Sequence, residues 1–307
     1  ALLRKALKDL GMEQIPVISF NTAGLESNPG FKIDVPMGKR LIIAAMYGDL
    51  FQRLLYATRP YEAEPGSAEG IMKKYEEAIF QNCRDGKVSV YKKLVKKIVD
   101  EYDRLPLRDI HKPKVGVVGE ILVKYHPDAN NNIVDIIEKE GGEAVVLDLV
   151  DFFLYGMYSK KFNYEKLSGS YKQFKVNQIG ISLIEWFRKP MREALRASRR
   201  FEEPSYIEHT AEEASQIASI GNQCGEGWLL TGEMIELIKS GATNIACLQP
   251  FACLPNHVTG KGMMKALRER FPKANIVAID YDPGASDTNQ LNRIKLMMST
   301  AHKNMEQ

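Results

Sequence analysis

The stretch NIACLQPFACLPNHVTGKGMMKALRERFPKANIVAIDYD, residues 244–282, contains two strand-like runs separated by one helical segment. The runs NIACLQPF (244–251) and ANIVAIDYD (274–282) are short and mostly apolar, as strands buried on both faces of a sheet are. Between them, GKGMMKALRERFP (260–272) spaces its apolar residues at helical intervals. A strand, a helix and a strand in this order predict a right-handed crossover and therefore a parallel sheet.

A second unit of the same kind lies upstream. A short apolar strand, KVGVVGE (114–120), is followed by a helical pattern at 128–142 and by the strand EAVVLDL (143–149). A long helical insertion, 152–220, separates the two units. We therefore predict an α/β fold, with a doubly wound, Rossmann- or flavodoxin-like parallel sheet over residues 111–307.

The region before this domain has a different pattern. Residues 1–110 are predicted to be mostly helical with one strand, IPVISFN (15–21), which we interpret as the last αβ unit of an upstream α/β domain. The segment PLRDIHKPK (106–114), with its two prolines, is the predicted boundary. Because the chain opens with Ala inside an amphipathic helix, we expect it to be a piece of a longer protein.

Composition excludes several classes of function. The chain of 307 residues has 42 basic and 39 acidic residues, a balance that argues against nucleic acid as a main partner. It has no apolar run of about 18 residues, the length that a membrane span requires, and no signal peptide. Four cysteines without a secretion signal indicate a reducing cytoplasm rather than a disulfide framework.

One helical segment, 187–201, is rich in arginine. Arg188, Arg192, Arg196 and Arg199 recur at spacings of three and four, so they share one face of a helix. The first interpretation is a solvated face, and the alternative is a surface for an anionic partner such as the phosphates of CoA or an acidic redox protein.

Ionisable residues concentrate after the predicted strands and in the loop GNQCGEG (221–227). Ligands of open α/β sheets bind beyond the carboxyl ends of the strands, so these segments form the predicted site. Its candidate residues are Glu120, Lys124, His126, Cys224, Glu226, Cys253, His257, Lys261, Asp280 and Asp282.

Three chemistries are open for this site. A phosphate-binding P-loop fails because position 255 is Pro and position 262 is Gly, where that motif needs Gly and a hydroxyl residue. The cysteine spacing fits neither a zinc ribbon nor a ferredoxin, although a thiolate at Cys253, directly after a strand, would be held rigidly as a metal ligand. Cys224, beside a helix start, is either a reactive thiol or a packing residue. His257 is either a structural residue, a base or a ligand.

Several long motifs resemble one family. LQPFACLPNHVTGKGMMKALRERFPKANIVAIDYDPGASDTNQLNRIKLMM, GNQCGEGWLLTGEM, VGVVGEILVKYHPDANN, IPVISFNTAGLESNPGFKI and YGDLFQRLLYATRPYE look like the C-terminal part of the large CoA-substrate-specific enzyme activases. Those proteins join an ATP-dependent activator of 2-hydroxyacyl-CoA dehydratase to dehydratase-like modules. The resemblance covers nearly the whole chain.

The resemblance implies particular roles. In the dehydratase subunits a cysteine after a strand ligates a 4Fe-4S iron–sulfur cluster, which gives Cys253 the role of metal ligand, with Cys224, His257 and Lys261 as cofactor-binding candidates. It also makes Asp280 the acid at a strand end and Arg293 the arginine of the final helix, and we place these with Glu120 and Glu226 as catalytic candidates. If the remaining cluster ligands lie elsewhere, this fragment alone would hold no intact cluster.

The implied function is low-potential electron transfer in an ATP-dependent reductase or 2-hydroxyacyl-CoA dehydratase-like system. The expected partners are an ATP-dependent activator domain or subunit, an acyl-CoA substrate and a second copy in a homodimer, with no membrane and no nucleic acid. Two alternatives are open: a redox-inert scaffold that docks the activator, and a thiol or acid–base enzyme that uses Cys224 or Cys253 with Glu226 or His257.

Overall fold

The computed structural model describes residues 2–17, 33–282, 284 and 287–306. The predicted strand 15–21 falls mostly outside this part: residues 18–21 are not described, and Ile15, Pro16 and Val17 lie in no strand. The helices are α1 (Leu2–Asp9), α2 (Val35–Thr58), α3 (Ser67–Asp85), α4 (Val88–Asp103), α5 (Ile121–Tyr125), α6 (Ile133–Lys139), α7 (Val150–Lys166), α8 (Tyr171–Ala197), α9 (Ile207–Ser215), α10 (Gly227–Lys239), α11 (Leu254–Thr259), α12 (Met264–Arg270) and α13 (Asp287–Met305). The strands are β1 (Lys114–Gly119), β2 (Glu143–Val146), β3 (Asn244–Pro250) and β4 (Asn275–Tyr281).

The four strands form one parallel sheet in the order β2-β1-β3-β4. The prediction of a parallel α/β sheet is therefore confirmed, and each strand begins within a residue of its predicted start. The chain runs outward from β1 to β2 and then returns to the other side of β1 to add β3 and β4. The direction of winding thus reverses between β1 and β3, and the carboxyl ends of these two strands flank the reversal point.

Helices cover both faces of the sheet. The side chains of β3 alternate: Ile245 and Cys247 belong to a hydrophobic cluster with α10 and α12, whereas Ala246 and Leu248 belong to one with α6 and α13. Since both faces are buried, the strands read as continuous apolar runs, and this is why the sequence identified them.

A layer of helices packs beside this sheet. α2, α3 and α4 share one hydrophobic cluster with the inserted helices α7, α8 and α9. The layer meets the sheet at the edge strand β2, where Gln52 of α2 donates a hydrogen bond to the carbonyl oxygen of Val146 (3.3 Å). None of the helices in the described ranges combines the length and apolar character that a membrane crossing needs.

The arginine-rich face of α8 is divided between interior and solvent. Arg188 and Arg192 are 0% and 3% exposed, so the interpretation of a solvated face is wrong for them. Arg188 pairs with Asp148 and Asp151, the latter at 2.7 Å. The helix lies against α4 and α7, which buries the face that carries these two arginines. Farther along the helix, Arg196 is exposed.

Candidate functional site

A cavity of about 640 Å³ opens at the carboxyl edge of the sheet, next to the reversal between β1 and β3. Its walls come from the segments after β1, β3 and β4, the segments from which the sequence predicted a site. The residues that line it include Glu120, Leu122, Asp128, Asn131, Phe251, Ala252, Cys253, Asp282, Asp287 and Gln290.

Cys253 lies three residues after the end of β3, immediately before α11. The turn that places it requires a left-handed backbone at Ala252 (φ 60°), a conformation that costs energy for a residue with a side chain. The thiol is half-buried and lines the cavity. Its Sγ accepts a hydrogen bond from Nδ2 of Asn256, one turn into α11, at 3.1 Å.

Asn256 connects the thiol to Glu226. The amide is fully buried, and its Nδ2 also donates to Oε2 of Glu226 at 2.9 Å. The other carboxylate oxygen of Glu226 accepts the backbone N–H of Ile121, at the start of α5, at 3.1 Å. Glu226 is therefore a buried bridge between the loops after β1 and β3. Sequence reasoning missed Asn256, although its position three residues after Cys253 in a short helix is a usable signal.

Glu120 caps α5. Its Oε2 accepts the backbone N–H of Val123 at 2.9 Å, so one carboxylate oxygen is committed to the helix start. The residue is half-buried and remains part of the cavity wall. The structure thus brings Glu120 and Cys253 together in one cavity, with Glu226 linked to the thiol through Asn256.

His257 and Asp280 form a separate polar group. Nδ1 of His257 donates to the carbonyl oxygen of Cys253 (2.8 Å), and its Nε2 lies 4.0 Å from Oδ1 of Asp280. The buried amide of Gln249 donates to the same Asp280 oxygen at 2.6 Å. The imidazole therefore binds the backbone of Cys253, and within the described part of the chain no hydrogen bond joins it to the thiol.

Arg293 lies outside the cavity. Its Nη1 donates to the carbonyl oxygen of Ala278 on β4 at 3.1 Å. Arg268 likewise donates to the carbonyl oxygen of Ile276, and the side-chain amide of Gln290 donates to the carbonyl oxygen of Asp280. These three side chains occupy alternate carbonyl groups of the free edge strand, so they block a further strand from pairing there.

Lys261 and Cys224 lie near the site without lining its cavity. Lys261 is exposed in a turn after α11. Cys224 is exposed in the loop before α10, and its neighbour Gly225 packs so closely on α11 that an added Cβ would lie 3.1 Å from the Cβ of Pro255. His126, another candidate, is exposed after α5.

The cavity is strongly acidic. Glu120, Asp128, Asp282 and Asp287 contribute four carboxyl groups to its lining, and none of the described lining residues is Lys, Arg or His. Negative charge on a ligand would be repelled here, and the phosphates of an acyl-CoA do not suit this cavity.

The described residues supply one good position for a metal ligand and no complete set. All four cysteines of the chain lie in the described part, and in that part no group of three or more His, Cys, Asp or Glu side chains could hold a metal ion. Cys247 is buried in β3, where desolvation raises the pKa of its thiol to about 12, and Cys83 lies in α3 of the helical layer. Cys253 therefore fits one ligand position of an iron–sulfur cluster, and completing the set would take ligands from another chain or domain.

A buried ion pair beneath the site was not predicted. Lys124, expected among the rim residues, is 5% exposed and pairs with Glu233 of α10 at 2.7 Å. Burial, opposed by the charge of Lys124, raises the pKa of Glu233 to about 7. The pair ties α5 to α10, the two helices that begin directly after Glu120 and Glu226.

Fold and site together define an α/β protein with a doubly wound parallel sheet and an acidic, cysteine-containing cavity at the point where the winding reverses. Comparisons of the chain with models of known protein families, with curated proteins and with solved structures found no match. The resemblance to the CoA-substrate-specific activases therefore stays a prediction.

Proposed function

We propose that this chain is a component of an ATP-dependent, low-potential reductase system of the 2-hydroxyacyl-CoA dehydratase type. In this proposal Cys253 supplies one thiolate ligand to an iron–sulfur cluster, and another polypeptide or domain supplies the remaining ligands. A cluster bound there would carry single electrons at a potential that its protein surroundings set. The four free cysteines and this oxygen-sensitive chemistry suit the cytoplasm of an anaerobic cell.

The hydrogen bond from Asn256 to Sγ of Cys253 is the observation that carries the proposal. An N–H donor at 3.1 Å favours a sulfur atom that bears negative charge, as a metal-bound thiolate does. Asn256 is held by Glu226, which is itself held by a backbone N–H group. The thiol is therefore oriented by residues that do not have to move when a ligand binds.

The charge of the cavity supports the low-potential part of the proposal. Carboxylates such as Glu120 and Asp282 line the same cavity as Cys253, and the part of its wall that the structure describes contains no basic residue. They make any additional negative charge unfavourable, so they would lower the reduction potential of a redox centre at this edge.

The thiol-enzyme alternative receives less support. A nucleophilic thiol needs a base within hydrogen-bonding distance, and His257 is occupied by the backbone carbonyl of Cys253 and faces Asp280. Glu226 contacts Asn256 rather than Sγ. The scaffold alternative is separated from the proposal by the experiment below.

The experiment is to purify the tagged protein anaerobically with its native partners and to measure iron and acid-labile sulfide per chain. We expect iron and sulfide in the wild type, their loss in Cys253→Ser, and their retention in Cys83→Ser. Cys83 is a matched control because it is also partly buried and lies in the helical layer.

Three results would contradict the proposal. Iron that stays bound in Cys253→Ser would show that this thiol is not a ligand. An iron-free wild type that still binds its activator ATPase would favour the redox-inert scaffold, and thiol-dependent turnover by an iron-free protein would favour the enzyme alternative.

A further inference from the structure

A second cavity lies at the opposite end of the strands. It has a volume of about 650 Å³ and includes Lys114, the first residue of β1, and Glu143, the first residue of β2. Its other walls come from α2, from the segment after α4 and from the turn after α8. Clefts of this size between structural units are typical small-molecule sites.

We call this second cavity the junction cavity, because it lies between the sheet and the helical layer. Its charge is opposite to that of the cavity that contains Cys253. Its lining has five Arg or Lys residues, a histidine and two glutamates; the charged and titratable residues are Arg53, Arg108, His111, Lys112, Lys114, Arg200, Glu143 and Glu202. Arg53 is neutralised by the buried Asp148 at 2.7 Å. Glu143 accepts a hydrogen bond from Tyr61 at 2.7 Å and lies 3.9 Å from Lys114. Arg108, Lys112 and Arg200 remain, opposed by the single carboxylate of Glu202, so the cavity keeps a net positive charge.

The two remaining arginines are fixed by the backbone. Arg200 donates to the carbonyl oxygens of Tyr102 (3.2 Å) and Leu105 (2.6 Å), and Arg108 donates to that of Pro60 (3.2 Å). Within the described ranges neither forms an ion pair with a carboxylate. Since a guanidinium has five N–H donors, each keeps donors for a ligand while its position is already set. Both side chains are exposed and therefore open to a ligand from solvent, and guanidinium groups positioned by hydrogen bonds suit a multiply charged anion.

The rest of the wall is largely aromatic and aliphatic. Tyr56, Tyr61, Leu107 and the buried Phe201 line the cavity between the basic residues. A wall of apolar side chains with a few charged groups is typical of small-molecule sites.

We propose that the junction cavity binds a small molecule through a pyrophosphate-like group, with Arg108, Lys112 and Arg200 as the residues that contact the anion. The site does not involve Cys253 and is independent of the cluster proposal. In this proposal the anion binds at the amino ends of the strands, whereas the thiol of Cys253 lies at their carboxyl ends.

The test is isothermal titration of the full chain with inorganic pyrophosphate at low ionic strength. We expect saturable binding that weakens as sodium chloride is added, because the attraction is screened. Arg200→Gln and Lys112→Gln should each weaken binding about tenfold, as the loss of one charge-assisted contact does. Arg199→Gln is the matched control: it removes the neighbouring arginine, which is exposed like Arg200 but does not line the cavity.

The thermal unfolding of each variant shows whether it is folded. Lys112→Gln keeps the test valid if Arg200→Gln does not fold, since Lys112 makes no hydrogen bond to another described residue. Absence of saturable binding to the wild type would overturn the proposal. Equal weakening in Arg199→Gln and in the two cavity variants would also overturn it, because the anion would then respond to general surface charge.

Discussion

Replacing Arg188 with Met tests whether the buried charges of α8 hold the helical layer to the sheet. The side chain of Arg188 is 0% exposed and pairs with Asp148 and Asp151, which follow β2. Removing one partner of a buried ion pair usually costs about 3–5 kcal/mol, because the other charge stays buried. Asp148 keeps Arg53 at 2.7 Å, which leaves Asp151 as the carboxylate without a cation. We therefore expect the free energy of unfolding to fall by about 3 kcal/mol, the lower end of that range.

The assay is urea unfolding followed by circular dichroism, with Arg196→Met as the control. Arg196 lies two turns further along α8, and its pair with Glu203 is exposed, so its loss should change stability little. If Arg188→Met and Arg196→Met unfold at the same urea concentration, Arg188 does not join these elements and the reasoning is refuted.

Three further predictions concern the site and its supports. Folding raises the pKa of Glu233 from 4.5 to about 7, so between those pH values the native state holds one more proton than the unfolded chain. Wild-type stability should therefore fall by about 3 kcal/mol as the pH rises through that window. Glu233→Gln should remove this part of the pH dependence in urea titrations, and an unchanged slope would contradict the prediction. Asn256→Leu removes the N–H donor to the sulfur of Cys253, so alkylation of this thiol in the iron-free protein should slow about tenfold. Mass spectrometry measures the alkylation rate, and an unchanged rate would show that the hydrogen bond has no effect on the thiolate. Gly227→Ala should destabilise the chain by about 2 kcal/mol or more, because φ at this residue is 48° and the new Cβ would lie 2.1 Å from a backbone oxygen. Gly70→Ala is the control, because no atom lies near the position of its added Cβ. Equal unfolding midpoints for the two variants would contradict this prediction.

The strands could be predicted because burial on both faces of the sheet requires consecutive apolar residues, a pattern that is visible in a short stretch of sequence. β1 and β3 are nearly continuous apolar runs bounded by turn residues, and the helices between strands have apolar residues at helical spacing. The position of Cys253 after β3 followed from this pattern, since parallel strands place their carboxyl ends at one edge.

The features that the sequence could not give depend on which faces meet. Arg188 and Arg196 look alike in sequence, yet only the first lies on the face of α8 that packs inward. The position of Lys124 after β1 predicts a residue at the edge of the site, but Glu233 of α10 pairs with it in the interior. Asn256 and Glu226 are 30 residues apart, and their contact requires the fold that brings α10 against α11. Arg293, predicted to be a catalytic candidate, binds the backbone of an edge strand.

The most direct measurement of the central claim is the alkylation of each cysteine, under native anaerobic conditions, in the iron-free and the iron-loaded protein. With Cys253 as a cluster ligand at the open edge of the sheet, we expect it to react readily without iron and to be protected once iron and sulfide are bound, while the buried Cys247 stays unreactive in both. Equal labelling of Cys253 in the two states would contradict the account.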